Sequence, residues 1–264
     1  MADTQAPIVS MRGIQKAYGG VRALKGVDLD LHLGEVHALV GDNAAGKSTL
    51  IKTLAGAVRP DAGTITFDGR AVSIEDPRHA KALGIETVYQ DLALADNLDV
   101  PANVFLGREL TRFGFLLDNR SMEERARTLL SRLKINIPNV RQKVRAMSGG
   151  QRQSIAIARC VCFNARVIIL DEPTAALGVQ ETGKVYALIR EMREQGCAVL
   201  IISHNLNHVF ENCDRITVMK TGEFVGTRRV KDTRQDEIVK MIVSGTAESD
   251  RAQEQTGATA RLNA

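Results

Sequence analysis

Apolar positions along this chain fall into two rhythms. Across residues 24–33 they alternate with polar ones, so that Val27, Leu29, Leu31 and Leu33 share one face and Asp28, Asp30 and His32 the other. A period of two describes a half-buried strand, and the spacing predicts an antiparallel edge region near the start. The runs Val36–Val40, 167–170 and Ala198–Ile202 show no alternation. Short unbroken apolar runs are what strands covered by helices on both faces require, so these predict a parallel core. Between Asp91 and Met147 the strand pattern stops. There SMEERARTLLSRL, residues 121–133, reads as an amphipathic helix, with Ser121 and Glu124 at capping-box spacing.

These patterns predict an α/β fold spanning residues 8–245, with a helical subdomain inserted at approximately 91–160. The polar stretch 246–264 has few large apolar residues and is expected to be a mobile tail. No internal repeat is evident, which points to one functional unit rather than a tandem pair.

Composition narrows the class. A chain of 264 residues, 44% hydrophobic and 25% charged, can bury a substantial core. Its net charge of +4 is dispersed, which argues against an extended nucleic-acid surface. No apolar run reaches the roughly 18 to 20 residues of a membrane-spanning helix, and MADTQAPIVSMRG lacks the basic-then-apolar order of a secretion signal, so the expectation is a cytoplasmic chain. The cysteines, Cys160, Cys162, Cys197 and Cys213, show no metal-ligand spacing, and their apolar neighbours predict buried, reduced thiols.

The sharpest chemical signal is Gly41-Asp42-Asn43-Ala44-Ala45-Gly46-Lys47-Ser48, directly after the apolar HALV. It satisfies G-x-x-x-x-G-K-[ST] in the strand-loop-helix context that a phosphate cradle requires. Glycines let backbone N–H groups approach phosphates, and the following helix aims its positive dipole end at the same anions. Lys47 is placed to reach the β and γ phosphates of ATP, and the Ser48 hydroxyl to ligate Mg2+, with Thr49 close by. A second signal, Asp171-Glu172-Pro173-Thr174, follows the apolar run VIIL. Carboxylates at the carboxyl end of a buried strand border the crevice where parallel sheets bind ligands. Asp171 can hold the magnesium shell, and Glu172 can position or deprotonate the attacking water.

Met147-Ser148-Gly149-Gly150-Gln151-Arg152-Gln153 resembles the signature of ABC ATPases, and the likeness extends over nearly all of residues 8–245. The resemblance implies a P-loop NTPase core with an N-terminal antiparallel β region and a helical subdomain. It also implies a split site, in which Ser148, Gly149, Gly150 and Gln151 of one copy complete the ATP site of another. Physically, Ser148 and the glycine backbone form an anion-binding helix start. By the same resemblance Tyr18 looks like the aromatic that stacks on adenine. Gln90 looks like the glutamine that senses magnesium and the permease, and His204 like the switch histidine at the γ phosphate. Two positions depart from the family pattern. Ala44 replaces a common glycine, which is tolerated if the backbone there avoids positive φ. Gly178 stands where aspartate usually follows Ala175-Ala176-Leu177, which bears on the contact between the two copies.

VYQDLALADNLDVPANVFLGRE and DEPTAALGV are similar to ATPases of bacterial monosaccharide importers of the ribose and fructose type, with fructose import nearest in texture. What this implies is a homodimer on the cytoplasmic face of the inner membrane. Its partner would be a multi-helix permease, and a periplasmic sugar-binding protein would act indirectly. Within residues 90–107, Leu92, Leu94, Leu98, Val100 and Phe105 could form a groove for a permease helix or pack into the core. The same motifs would serve an importer or exporter of another solute, or a soluble ABC ATPase without a transporter.

Overall fold

A computed structural model describes residues 6–246, so the expected tail lies outside the described residues except for Thr246. The chain opens with β1 (Val9–Tyr18), β2 (Val21–Leu31) and β3 (Val36–Val40), followed by α1 (Lys47–Leu54). Next come β4 (Ala62–Phe67), β5 (Arg70–Val72), α2 (Pro77–Ala82) and β6 (Ile85–Val88). A largely helical stretch holds α3 (Val100–Val104), a hairpin of β7 (Thr111–Arg112) and β8 (Leu116–Leu117), α4 (Asn119–Arg132) and α5 (Gly149–Cys162). The remainder is β9 (Val167–Asp171), α6 (Val179–Glu194), β10 (Ala198–Ile202), α7 (Leu206–Asn212), β11 (Arg215–Lys220), β12 (Glu223–Arg229) and α8 (Gln235–Ser244).

The strands form a four-stranded antiparallel sheet, β2-β1-β4-β5, and a six-stranded sheet, β12-β11-β3-β10-β9-β6. In the larger sheet β11, β3, β10, β9 and β6 run parallel, and only β12 is antiparallel. The two rhythms of the sequence explain this division. In β2 the alternation buries Leu24, Val27, Leu29 and Leu31 and leaves the intervening aspartates half-buried. The central strands β3 and β10 are buried at every position.

Those central strands serve two cores at once. Val36, Ala38, Val40, Ile168, Leu170, Val199 and Ile201 face the side carrying α3 to α8. Their neighbours Leu39, Val167, Ile169, Leu200 and Ile202 face α1 and the antiparallel sheet. A strand with an apolar layer on each face has no polar position to spare, hence the unbroken runs. His37 is the exception: it is buried in β3 and bonded through Nε2 to the Thr217 hydroxyl at 2.7 Å, which in turn meets the Thr227 hydroxyl at 2.6 Å. Burial holds its imidazole pKa down at about 3.

Several expectations need correction. The helix expected from Ser121 begins earlier, at Asn119, because Asp118 is its cap and accepts from both the Ser121 N–H and hydroxyl. Glu124 is therefore no capping-box partner; it pairs with Arg120 at 3.1 Å. The helical stretch also contains the β7–β8 hairpin, whose strands are too short to show a period. The edge strand runs from Val21 to Leu31, leaving Leu33 outside it. Val100 and Phe105 are fully buried core residues, while Leu92 and Leu94 pack against that core with part of their surface open. Cys160, Cys197 and Cys213 are buried free thiols, but Cys162 is only half-buried.

Candidate functional site

Four parallel strands deliver the predicted residues to one edge. β3 runs into residues 41–46 and then α1. Register pairs Val88 of β6 with Leu170 of β9, and Asp171 of β9 with Ile202 of β10. Gln90, Asp171, Glu172 and His204 therefore all leave the sheet at its carboxyl edge, beside the loop that follows β3. This is where open α/β sheets bind their ligands.

The loop's shape depends on glycine at both ends. At Gly41, φ is +149°, and a β-carbon there would lie 2.1 Å from the Met219 carbonyl oxygen. At Gly46, φ is +93°, and a β-carbon would lie 2.5 Å from the Ala23 carbonyl oxygen. Ala44 also takes positive φ, 65°, so the condition under which alanine would be neutral there is not met. Asp42, Asn43 and Ala44 are exposed and Ala45 is buried. Gly46 caps α1 with no side-chain bond, which leaves the first N–H groups of the helix for an anion. Lys47 folds back over the loop, donating from Nζ to the carbonyls of Gly41 at 2.7 Å and Asp42 at 2.8 Å. Ser48 is exposed and Thr49 half-buried in the first turn.

Facing the loop are two adjacent carboxylates. Burial, reinforced by repulsion from Glu172, raises the Asp171 carboxyl above its usual pKa, and Lys47 and Lys52 offset part of this. Burial likewise lowers the Lys47 pKa, while Glu172, Asp42 and Asp171 favour its charged form. Glu172 holds φ 48°, an uncommon backbone for glutamate, with its N–H bound to the Ile202 carbonyl at 3.0 Å. Its Oε1 meets His204 Nδ1 at 3.0 Å. A cleft of about 510 Å³ between α6 and α7 opens on this pair, giving solvent a route to Glu172. Sequence reasoning missed Tyr89, half-buried beside Gln90, whose phenol pKa rises through burial and the charge of Asp171.

Tyr18 ends β1 with 48% of its surface exposed and Lys16 Nζ 5.8 Å from its ring centre. Ser148 caps α5 as expected. Its Oγ accepts from the Gln151 N–H at 3.2 Å, and the Gln151 side chain accepts from the Ser148 N–H at 3.1 Å. Gly149 is exposed beside them and Gly150 buried. Among the described residues, no hydrogen bond or ion pair joins residues 148–151 to residues 41–49, Asp171, Glu172 or His204. The structure brings the loop, the carboxylates and the histidine together and leaves the second helix start apart from them.

A glycine-bounded loop that opens a helix against two strand-end carboxylates defines a P-loop nucleotide hydrolase. Comparison with known proteins narrows that class. The ABC transporter family model matches residues 24–175. The xylose/arabinose import ATP-binding protein of Sulfolobus acidocaldarius is 45% identical, over 90% of this chain and 94% of that protein. The fructose import ATP-binding protein of Rhizobium meliloti is 44% identical, over 94% and 97%. Among solved structures, a nucleotide-free ATP-binding cassette from an ABC transporter superposes with a TM-score of 0.78 at 26% identity, covering 90% of this chain and 95% of that one. A dimeric post-hydrolysis cassette bound to ADP and Pi gives a TM-score of 0.72 at 26% identity, covering 85% and 100%. The chain belongs to the ABC transporter family, and it is an ABC-type ATPase.

Proposed function

We propose that this chain is the ATP-hydrolysing motor of a monosaccharide importer, working as a homodimer on the cytoplasmic face of the inner membrane beneath a multi-helix permease. The observation that carries the dimer is the helix start at Ser148, which holds the family's signature residues but has no bond to the phosphate cradle of its own chain. A two-fold pairing is isologous, so one contact would place each signature on the other copy's cradle and create two equivalent sites. Val179, 92% exposed just beyond the acidic loop, gives that face an apolar contact. The import names of the relatives support a sugar as cargo. In this reading one ATPase unit spans residues 8–245. The sugar never enters the chain, and a periplasmic sugar-binding protein acts indirectly through the permease.

The site's residues take their roles from their positions. Residues 41–46 offer backbone N–H groups to the phosphates, and Lys47 exchanges the Gly41 and Asp42 carbonyls for β and γ phosphate oxygens. Tyr18 stacks on adenine from the antiparallel sheet. Glu172 holds the attacking water and accepts its proton, and His204 fixes the rotamer of Glu172 and bonds the γ phosphate. Ser148, Gly149, Gly150 and Gln151 bind the γ phosphate of the other copy.

Magnesium fits this donor set. Ser48, Gln90 and Asp171 are hard oxygen donors, and the adjacent carboxylates carry repulsion that a divalent cation relieves. When bound, the ion would neutralise charge on the β and γ phosphates.

ATP-driven closure of the dimer would reorient the permease through residues 90–107, where Leu92, Leu94 and Leu98 retain open surface. The test is affinity capture of the tagged protein from gently solubilised native membranes, with mass spectrometry of what accompanies it. Recovery of a multi-helix permease with a sugar-binding protein supports import. Recovery of ribosomal or soluble assembly proteins without a permease overturns the transport role.

A further inference from the structure

The start of α6 is built differently from that of its neighbours. Asp118 caps α4, Ser148 caps α5 and Asn205 caps α7, each with a side-chain bond, whereas Gly178 caps α6 with none. Gly178 has extended backbone, φ −70° and ψ 169°, so its conformation does not call for glycine. The space does. A β-carbon at 178 would lie 2.9 Å from Glu181 Oε2. The stem of the same side chain presses on the backbone of α5, where a β-carbon at Gly150 would lie 2.6 Å from Glu181 Cγ and 2.9 Å from its Cβ. Beside it, a β-carbon at Gly149 would lie 3.2 Å from Leu177 Cδ2. Residues 177–181 thus wrap the first turn of α5, and Gly149 and Gly150 permit the approach.

We propose that Glu181 is a positioning residue that fixes the signature helix to the acidic loop carrying Glu172. Its carboxylate occupies the place of a side chain at 178, where it compensates the uncapped, positive start of α6 from within the first turn. Its methylene stem, lodged against Gly150, sets where the Ser148 helix start stands relative to the loop 171–178. A change at one element then moves the other. On this account Gly150 is glycine for packing against Glu181 as well as for an approaching phosphate. The inference rests on the split-site reading, since the value of fixing this helix lies in presenting it to the other copy's ATP.

The test is a charge swap in the full chain: Glu181→Ala, Gly178→Asp, the two combined, and Glu181→Gln as a shape-conserving control. ATP dependence of phosphate release is recorded alongside the thermal midpoint. Glu181→Ala is expected to lower kcat on the order of ten-fold and bring the Hill coefficient toward one, with KM changed less than about two-fold. Gly178→Asp alone is expected to impair activity, because it sets a second carboxylate against Glu181. Glu181→Gln keeps the stem against Gly150 and is expected to hold kcat within about two-fold of the unmodified chain, whereas the combination restores a cap and raises the thermal midpoint over Glu181→Ala but leaves kcat low, because the stem is absent. A folded Glu181→Ala chain with unaltered kcat and cooperativity overturns the proposal, as does a Glu181→Gln chain whose kcat is no better than that of Glu181→Ala. An unmodified chain that releases no phosphate instead contradicts the ATPase reading beneath it.

Discussion

Glu172 Oε1 lies 3.0 Å from His204 Nδ1, so the Glu172 carboxylate is oriented by its neighbour across the β9–β10 pair. If Glu172 accepts the attacking water's proton, Glu172→Gln should lower phosphate release by roughly 10²- to 10⁴-fold while ATP affinity stays within a few-fold. His204→Ala should also lower kcat, by a smaller factor, because solvent can fill its place through the adjoining cleft. Single-turnover phosphate release with equilibrium ATP binding checks both, and a Glu172→Gln chain with near-normal kcat would remove Glu172 from the chemistry.

Lys47 bonds the Gly41 and Asp42 carbonyls, which in the proposed role it exchanges for phosphate oxygens of ATP. Lys47→Ala should therefore cost ATP affinity by at least about 100-fold, the loss of charge-assisted bonds in a half-buried site. It should cost little folding stability. Calorimetric titration with ATP and magnesium measures the first, and thermal unfolding the second.

Backbone conformation in the cradle separates two small substitutions. Ala44→Gly relieves a left-handed alanine and should stabilise the chain by about 0.5–1 kcal/mol after the added freedom of the unfolded state is counted. Gly41→Ala drives a methyl group into the Met219 carbonyl and should cost about 2 kcal/mol or more. Opposite shifts in the thermal midpoint are expected; a lower midpoint for Ala44→Gly would contradict the backbone described here.

His37 gives the fold an acid sensitivity independent of the site. Its pKa is depressed from 6.5 to about 3, so the stabilising neutral form is fully favoured above pH 6.5 and is lost as pH falls toward 3. Between about pH 6.5 and 4.5, above most carboxylate titration, the unmodified chain should lose up to about 1.4 kcal/mol per pH unit relative to His37→Gln. Urea unfolding at stepped pH measures this, and parallel slopes for the two chains would count against a buried neutral imidazole.

Much of this architecture is legible in the sequence. The alternation around Val27, Leu29 and Leu31 and the unbroken runs in β3, β9 and β10 read directly as one-faced and two-faced strands. Residues 41–48 and 171–174 carried their chemistry in their order. What stayed hidden depended on geometry that no local pattern encodes. Asp118 and Ser121 are both good caps three positions apart, and only the fold shows that Asp118 takes the Ser121 N–H. The positive φ of Ala44 is a property of the closed loop rather than of alanine. The sequence fits Phe105 to surface or core alike, and the packing of α3 against α4 and α5, with Phe105 edge-on to Phe163, decides for the core. Glu181 carried no motif; its partner Gly150 lies on another helix, and only the fold brings them together.

The central claim is that ATP joins two copies of this chain through the cradle of one and the Ser148 helix start of the other. It is tested most directly by light scattering on the Glu172→Gln chain during size-exclusion chromatography, with and without saturating ATP and magnesium. The account predicts a mass near twice the 28.7 kDa of one chain with ATP, and a return to the monomer when Gly149 in the signature is also replaced by a bulky residue. A Glu172→Gln chain that binds ATP yet remains at 28.7 kDa would contradict the split site.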